Sequence, residues 1–150
     1  MQHESEIKIG FTIGDPNGIG PEVLIRALHY LYPFNKWQPL IFGDLEIIKE
    51  VNKAVGTSFS YKPIPNNHDM PIEKLDDSSC IPVIDLPVRK NRKWKLGLCS
   101  SWGGESAFKF FHNAILWANK KLIDAIVTSP LSKEALFSAG YNFTGHTEII

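Results

Sequence analysis

IKIGFTIGDPNGIGPEVLIRALHYL, residues 7–31, decides the fold. Ile7 to Ile13 are nearly continuous in β-branched and apolar residues, which suits a strand buried on both faces. Gly14, Asp15, Pro16, Asn17, Gly18 and Gly20 then supply the residue types of a tight loop. Pro21 is favoured at a first helical position, where its missing N–H costs nothing. Val23, Leu24, Ala27, Leu28 and Leu31 share one helical face, and Pro33 ends the helix. A strand that runs through a glycine loop into a helix is the opening unit of an α/β sheet.

The unit repeats. Residues 39–43 (PLIFG) read as a second short strand. Asp44 caps the next helix, with Leu45, Ile48, Val51 and Val55 inward and Gly56 as its stop. Residues 58–65 carry a further strand, and 81–85 (IPVID) another. Between them, 66–79 is rich in Asn, Asp, Pro and Ser and reads as an exposed excursion. Residues 96–104 form a small-residue link. Residues 105–121 read as a helix with Phe108, Phe111, Ala114, Ile115 and Ala118 inward, its aromatics serving the core rather than a cofactor. A buried strand, 124–128, follows. The predicted fold class is α/β with a parallel sheet, one segment over 1–150 with no internal boundary.

Composition narrows the function. Lys plus Arg and Asp plus Glu balance at 16 each, so no electrostatic footprint for nucleic acid exists. The basic run RKNRKWK at 89–95 reads as a solvated loop. The polar start MQHESEIK has no apolar region behind it, so it is no signal peptide. No apolar run is long enough to cross a bilayer. Cys80 and Cys99 lack metal-ligand spacing and read as thiols of a reducing, cytoplasmic setting.

The glycine loop invites two comparisons. A Walker A loop requires Gly-Lys-Ser/Thr, and Gly20 is followed by Pro-Glu. The dinucleotide pattern G-x-G-x-x-G is half met, by Gly18 and Gly20, but its third position is Val23. Asp44 stands about where a ribose-binding acid would, yet it is already explained as a cap. The loop is read either as a tight turn or as a weak anion site at a helix start.

The richest stretch is VTSPLSKEALFSAGYNFTGHTE, residues 127–148. Ser129 or Ser132 can cap a short helix, Pro130 can occupy its first turn, and Gly140 can close it. Capping does not require Lys133, and no turn rule requires Gly145-His146-Thr147-Glu148. These polar groups crowd the end of one strand, where open α/β sheets bind ligands.

Three segments, IGFTIGDPNGIGPEV, GGESAFKFFHNAIL…DAIVTSPLSKEAL and AGYNFTGHTE, resemble 4-hydroxythreonine-4-phosphate dehydrogenases of pyridoxal phosphate (vitamin B6) biosynthesis. Family members are longer, so the expectation is an N-terminal portion. The resemblance implies an α/β/α sandwich of the isocitrate and isopropylmalate dehydrogenase kind. It implies NAD- or NADP-dependent oxidation of 4-phosphooxy-L-threonine, then loss of carbon dioxide to give 3-amino-2-oxopropyl phosphate. It also implies a homodimer and a divalent metal (zinc, magnesium or cobalt) whose ligands lie beyond residue 150. By match to the family's GHTE motif, His146 and Thr147 bind substrate. Lys133, matching the turn lysine, pairs with an anion or moves a proton. No cofactor-binding residue is assigned, and none of His3, His29, His68 or His112 matches a metal ligand. Two alternatives stand beside this: a related dehydrogenase of another hydroxy acid, and a non-catalytic nucleotide- or anion-binding module. A sheet that stops early also predicts an unpaired edge.

Overall fold

The computed structural model describes residues 7–31, 36–67, 80–88 and 95–150. Pro33, most of the 66–79 excursion, the basic run at 89–94, and His3 and His68 lie outside them. The strands are β1 (Ile7–Thr12), β2 (Trp37–Gly43), β3 (Ser60–Ile64), β4 (Cys80–Asp85) and β5 (Ala125–Thr128). They form one parallel sheet in the order β3-β4-β2-β1-β5. The helices are α1 (Gly20–Leu31), α2 (Leu45–Val55), α3 (Ser101–Asn119) and α4 (Lys133–Ser138).

Crossover direction sets the layers. The steps from β1 through α1 to β2, and on through α2 to β3, run one way across the sheet. The step from β4 through α3 to β5 runs the other way, so right-handed connections place α3 on the opposite face. Accordingly α1 packs on α2, and α3 packs on α4. The result is an α/β/α sandwich. At its centre Leu40, Ile41 and Phe42 of β2 are fully buried. The Phe42 ring meets Trp117 of α3 edge-on at 5.7 Å.

Three details differ from the sequence reading. In α1 the buried row is Pro21, Leu24, Ile25 and Leu28, whereas Val23, Ala27 and Leu31 are exposed. In α3 the buried residues are Gly103, Gly104, Ser106, Ala107, Phe110, Phe111, Ala114 and Trp117, so Phe111 and Ala114 face inward as expected. Phe108, Ile115 and Ala118 are only half-buried. The strand before Ser129 is not buried on both faces: β5 is an edge of the sheet among the described residues, and Val127 is 47% exposed.

Asp44 is the cap that its position predicts. One carboxylate oxygen accepts from Glu46 N and Ile47 N at 3.0 and 3.3 Å, the other from Val88 N at 2.9 Å. Both oxygens are engaged and the side chain is 2% exposed, so its bonds are those of a cap. Gly56 closes α2 at φ +78°, with Thr57 N donating to Asn52 O, a left-handed helix end that glycine makes without strain. Asp44→Ala removes the cap and strands the Val88 N–H. The expected cost is about 3 kcal/mol, read as a lowered midpoint in urea unfolding with unchanged slope.

Candidate functional site

The β1 and β5 strands lie side by side, yet their following loops leave toward opposite faces, to α1 and to α4. That makes their carboxyl ends the switch point of the sheet, the crevice where α/β folds bind ligands. The glycine loop, the Ser129-Pro130 turn and the start of α3 meet there.

The glycine loop, 14–20, is latched rather than open. Asp15 N donates to Pro130 O at 3.2 Å, Asn17 N to the Asp15 carboxylate at 2.9 Å, and Gly18 N to Asp15 O at 3.0 Å. These three N–H groups are engaged within the protein and are not free for an anion. Of the two glycines that meet the dinucleotide pattern, Gly20 is required by packing. Gly14 sits at φ +71°, and a Cβ there would lie 2.2 Å from Pro130 O. At Gly20 a Cβ would lie 2.4 Å from Ile13 O.

Sequence reasoning missed the partner of this latch. Ser100 caps α3, so the helix starts at Ser101 and not at Glu105. Its hydroxyl accepts from Gly103 N at 3.1 Å and from the Asn17 side-chain amide at 2.9 Å. Asn17 O in turn accepts from Gly97 N at 2.7 Å. Gly103 is open space for this cluster: a Cβ would stand 2.4 Å from the Asp15 carboxylate and 2.9 Å from the Asn17 amide nitrogen. Asp15 is buried beside the first turn of α3, and burial, offset in part by the Asn17 N–H, raises its carboxyl above the usual range.

The β5 loop carries the rest. Ser132, not Ser129, caps α4 by accepting from Ala135 N at 3.1 Å; Pro130 therefore precedes the helix instead of opening it. Cys99 lies beside the cap, its sulfur 3.5 Å from the Ser132 hydroxyl. Lys133 is the first residue of α4 and is exposed. Gly140 takes φ +89°. Tyr141 N donates to Leu136 O and Gly140 N to Phe137 O, the paired bonds of a left-handed helix end. The chain is thereby turned back to a 3-10 turn, His146–Glu148.

In that turn Thr144 donates twice to the Glu148 carboxylate, from its backbone N–H at 2.8 Å and from its hydroxyl. These bonds hold the exposed Glu148 carboxyl below the usual range, with a lesser push from the Lys133 charge. His146 rests edge-on against the buried Phe111, ring centres 4.9 Å apart. Partial burial lowers its pKa, so at pH 7 it presents a neutral imidazole. Thr147 is exposed. His112, on the outer face of α3, stacks on Phe108.

The His146 shift has a checkable sign. Its NMR titration midpoint in the folded protein is expected below the ordinary imidazole value of about 6.5. Between the two midpoints the unfolded chain binds more protons. The associated stability is therefore present above the unfolded value and is lost as pH falls through the folded one. A midpoint above the ordinary value would contradict the assigned burial.

Among the described residues no three His, Cys, Asp or Glu side chains gather to hold a metal ion, so these residues do not by themselves fit a divalent metal. No disulfide involves Cys80 or Cys99. No helix of the described residues is long and apolar enough to cross a membrane.

The family described as pyridoxal phosphate biosynthetic protein PdxA matches residues 35–150. The chain belongs to the PdxA family. It is 34% identical over 142 residues to a D-threonate 4-phosphate dehydrogenase from Cupriavidus necator, a match covering 95% of this chain and 41% of that protein. It superposes on a 4-hydroxythreonine-4-phosphate dehydrogenase from Burkholderia phymatum with TM-score 0.84 and 31% identity, over 97% of this chain and 43% of that one. The Klebsiella pneumoniae enzyme of the same name gives TM-score 0.80 at 29% identity, over 99% of this chain and 44% of that one. The PdxA fold, of the isocitrate dehydrogenase kind, is the fold seen here. The chain spans about two-fifths of the length of the curated relatives it matches.

Proposed function

We propose that this PdxA-family chain contributes the substrate-binding GHTE turn of a dehydrogenase that oxidises a 4-phosphorylated, threonine-derived acid, with NAD or NADP as hydride acceptor. The observation that supports the reading is the GHTE turn itself, closed by Thr144–Glu148 bonds, with His146 backed by Phe111 and Thr147 exposed. The names of the relatives supply the substrate class. 4-Phosphooxy-L-threonine and D-threonate 4-phosphate differ only at carbon 2, amine against hydroxyl. Both carry a secondary alcohol β to a carboxylate, so oxidation of either gives a β-keto acid able to lose carbon dioxide.

The residues suit that substrate. The Lys133 ammonium supplies a mobile positive charge for a carboxylate or phosphate, or a proton carrier near the alcohol. The neutral His146 imidazole can both donate and accept, and the Thr147 hydroxyl does the same. Together they orient the polar groups of the acid while the hydride leaves. A metal able to stabilise the alkoxide would draw its ligands from outside the described residues, and no step is derived through it. A homodimer in the cytoplasm, and a place in vitamin B6 synthesis if the amino acid is the substrate, belong to the same proposal.

A second reading has a specific basis. The curated relative from Cupriavidus necator is named for D-threonate 4-phosphate, whereas the solved structures are named for 4-hydroxythreonine-4-phosphate. Reduction of NAD or NADP by the full-length protein, with each acid and a divalent metal added, decides between them. One of the two is expected to be oxidised, with its unphosphorylated parent slower by at least roughly 100-fold. A folded protein that oxidises neither would overturn the proposal.

A further inference from the structure

We infer that Glu148 is a positioning residue, whose carboxylate clasps Thr144 and thereby fixes how His146 and Thr147 are presented to substrate. The inference rests on the substrate-binding reading of those two residues and adds a residue to it. Its basis is the way the turn is closed. The Thr144 backbone N–H donates to one Glu148 carboxylate oxygen at 2.8 Å, and the Thr144 hydroxyl donates to the other. Glu148 N donates to Gly145 O at 3.3 Å, and Ile149 N to His146 O at 3.1 Å. The segment is thus shut by side chain and by backbone, and Gly145, His146 and Thr147 lie inside the closure. The Phe111 ring, itself 2% exposed, backs the imidazole from within.

Burial does not explain the clasp, because Glu148 and Thr144 are both exposed. Exposed pairs of this kind contribute little to global stability. The clasp instead removes rotational freedom from a short turn that would otherwise sample many conformations. Ordering that turn during binding would weaken affinity. A preformed turn appears kinetically in KM more than in kcat, since it holds the substrate in ground and transition states alike. Lys133, the neighbouring charge that acts on this carboxylate, helps to keep it ionised and therefore able to accept both bonds.

The test uses Glu148→Ala, Glu148→Gln, Thr144→Ala and the double variant in the full-length protein. For the substrate that the wild type oxidises, Glu148→Ala is expected to raise KM about tenfold, with kcat changed by less than about threefold. The melting temperature should not move. Glu148→Gln keeps an acceptor oxygen and should fall between. The double variant should be no worse than Glu148→Ala alone, because both substitutions remove one interaction. An unchanged KM, additive effects, or a lowered melting temperature with KM and kcat impaired together would overturn the inference. A second readout needs no turnover: the ring-current shift that Phe111 imposes on the His146 ring protons. Collapse of that shift in Glu148→Ala supports the clasp, and its retention overturns it. If the wild type oxidises neither acid, the functional proposal fails while this readout still decides the role of Glu148.

Discussion

Gly14→Ala is expected to destabilise the protein by about 3–4 kcal/mol, a large part of the stability of an ordinary domain. Two costs add. The residue sits at φ +71°, where an L side chain pays about 1–2 kcal/mol. The new Cβ would also stand 2.2 Å from Pro130 O, a backbone atom with no rotamer to yield. Relief requires the β1 and β5 loops to part, which breaks the Asp15 N–H bond to Pro130 O. The switch point then loses its floor, so the variant should lose substrate binding along with stability. Chemical unfolding measures the first effect and calorimetry with the phosphorylated acid the second. A Gly14→Ala protein as stable as the wild type would mean that the loops are not locked together.

Lys133→Ala is the second large effect, of the opposite kind. The side chain is exposed at the first position of α4, and α4 keeps its Ser132 cap. Alanine is also a strong helix former, so the melting temperature should stay the same or rise slightly. Activity should not. Loss of a charge that pairs with the substrate, or that carries its proton, is expected to lower kcat/KM by about 10²–10³. A residue that moves a proton lowers kcat, while one that merely holds an anion raises KM. Steady-state kinetics on the full-length protein therefore separates the two roles. A Lys133→Ala enzyme with wild-type constants would remove this residue from the site.

The contrast between these substitutions shows what the sequence could and could not reveal. Strand positions were legible because 7–12 and 39–43 are apolar runs bounded by turn residues. The Asp44 and Gly56 caps were legible because capping is a local rule. Helix faces were less so. In α1 an apolar residue stands on two overlapping rows, and only packing selects Leu24, Ile25 and Leu28 over Val23, Ala27 and Leu31. In α3 the Gly103-Gly104 pair reads as a break. Tertiary contact requires it, since a Cβ on Gly104 would meet Ala135 O at 2.1 Å. The apolar run of β5 gave its type but not its place at an edge, because an apolar segment does not encode its neighbours.

The site divides in the same way. Lys133, His146 and Thr147 are proposed from their motifs, and the structure adds how their segments are capped and closed. The latch of Asn17 to Ser100 spans 83 positions of chain. No periodicity or spacing could have announced it. Its one local trace was a serine just ahead of a helical pattern, a recognisable cap. The role of the glycine loop was likewise undecidable from glycines alone. The structure shows close packing at Gly14 and Gly20 and engaged N–H groups at Asp15, Asn17 and Gly18.

The phosphorylated acid is proposed to bind at Lys133 and the 144–148 turn. Amide NMR during titration with each of the two candidate acids tests it most directly. The predicted result is a set of shifts at Ser132, Lys133 and 144–148, abolished by His146→Ala. Shifts confined to the groove between α1 and α2, lined by Gly18, Arg26, Val55 and Leu96, with 144–148 silent, would contradict it.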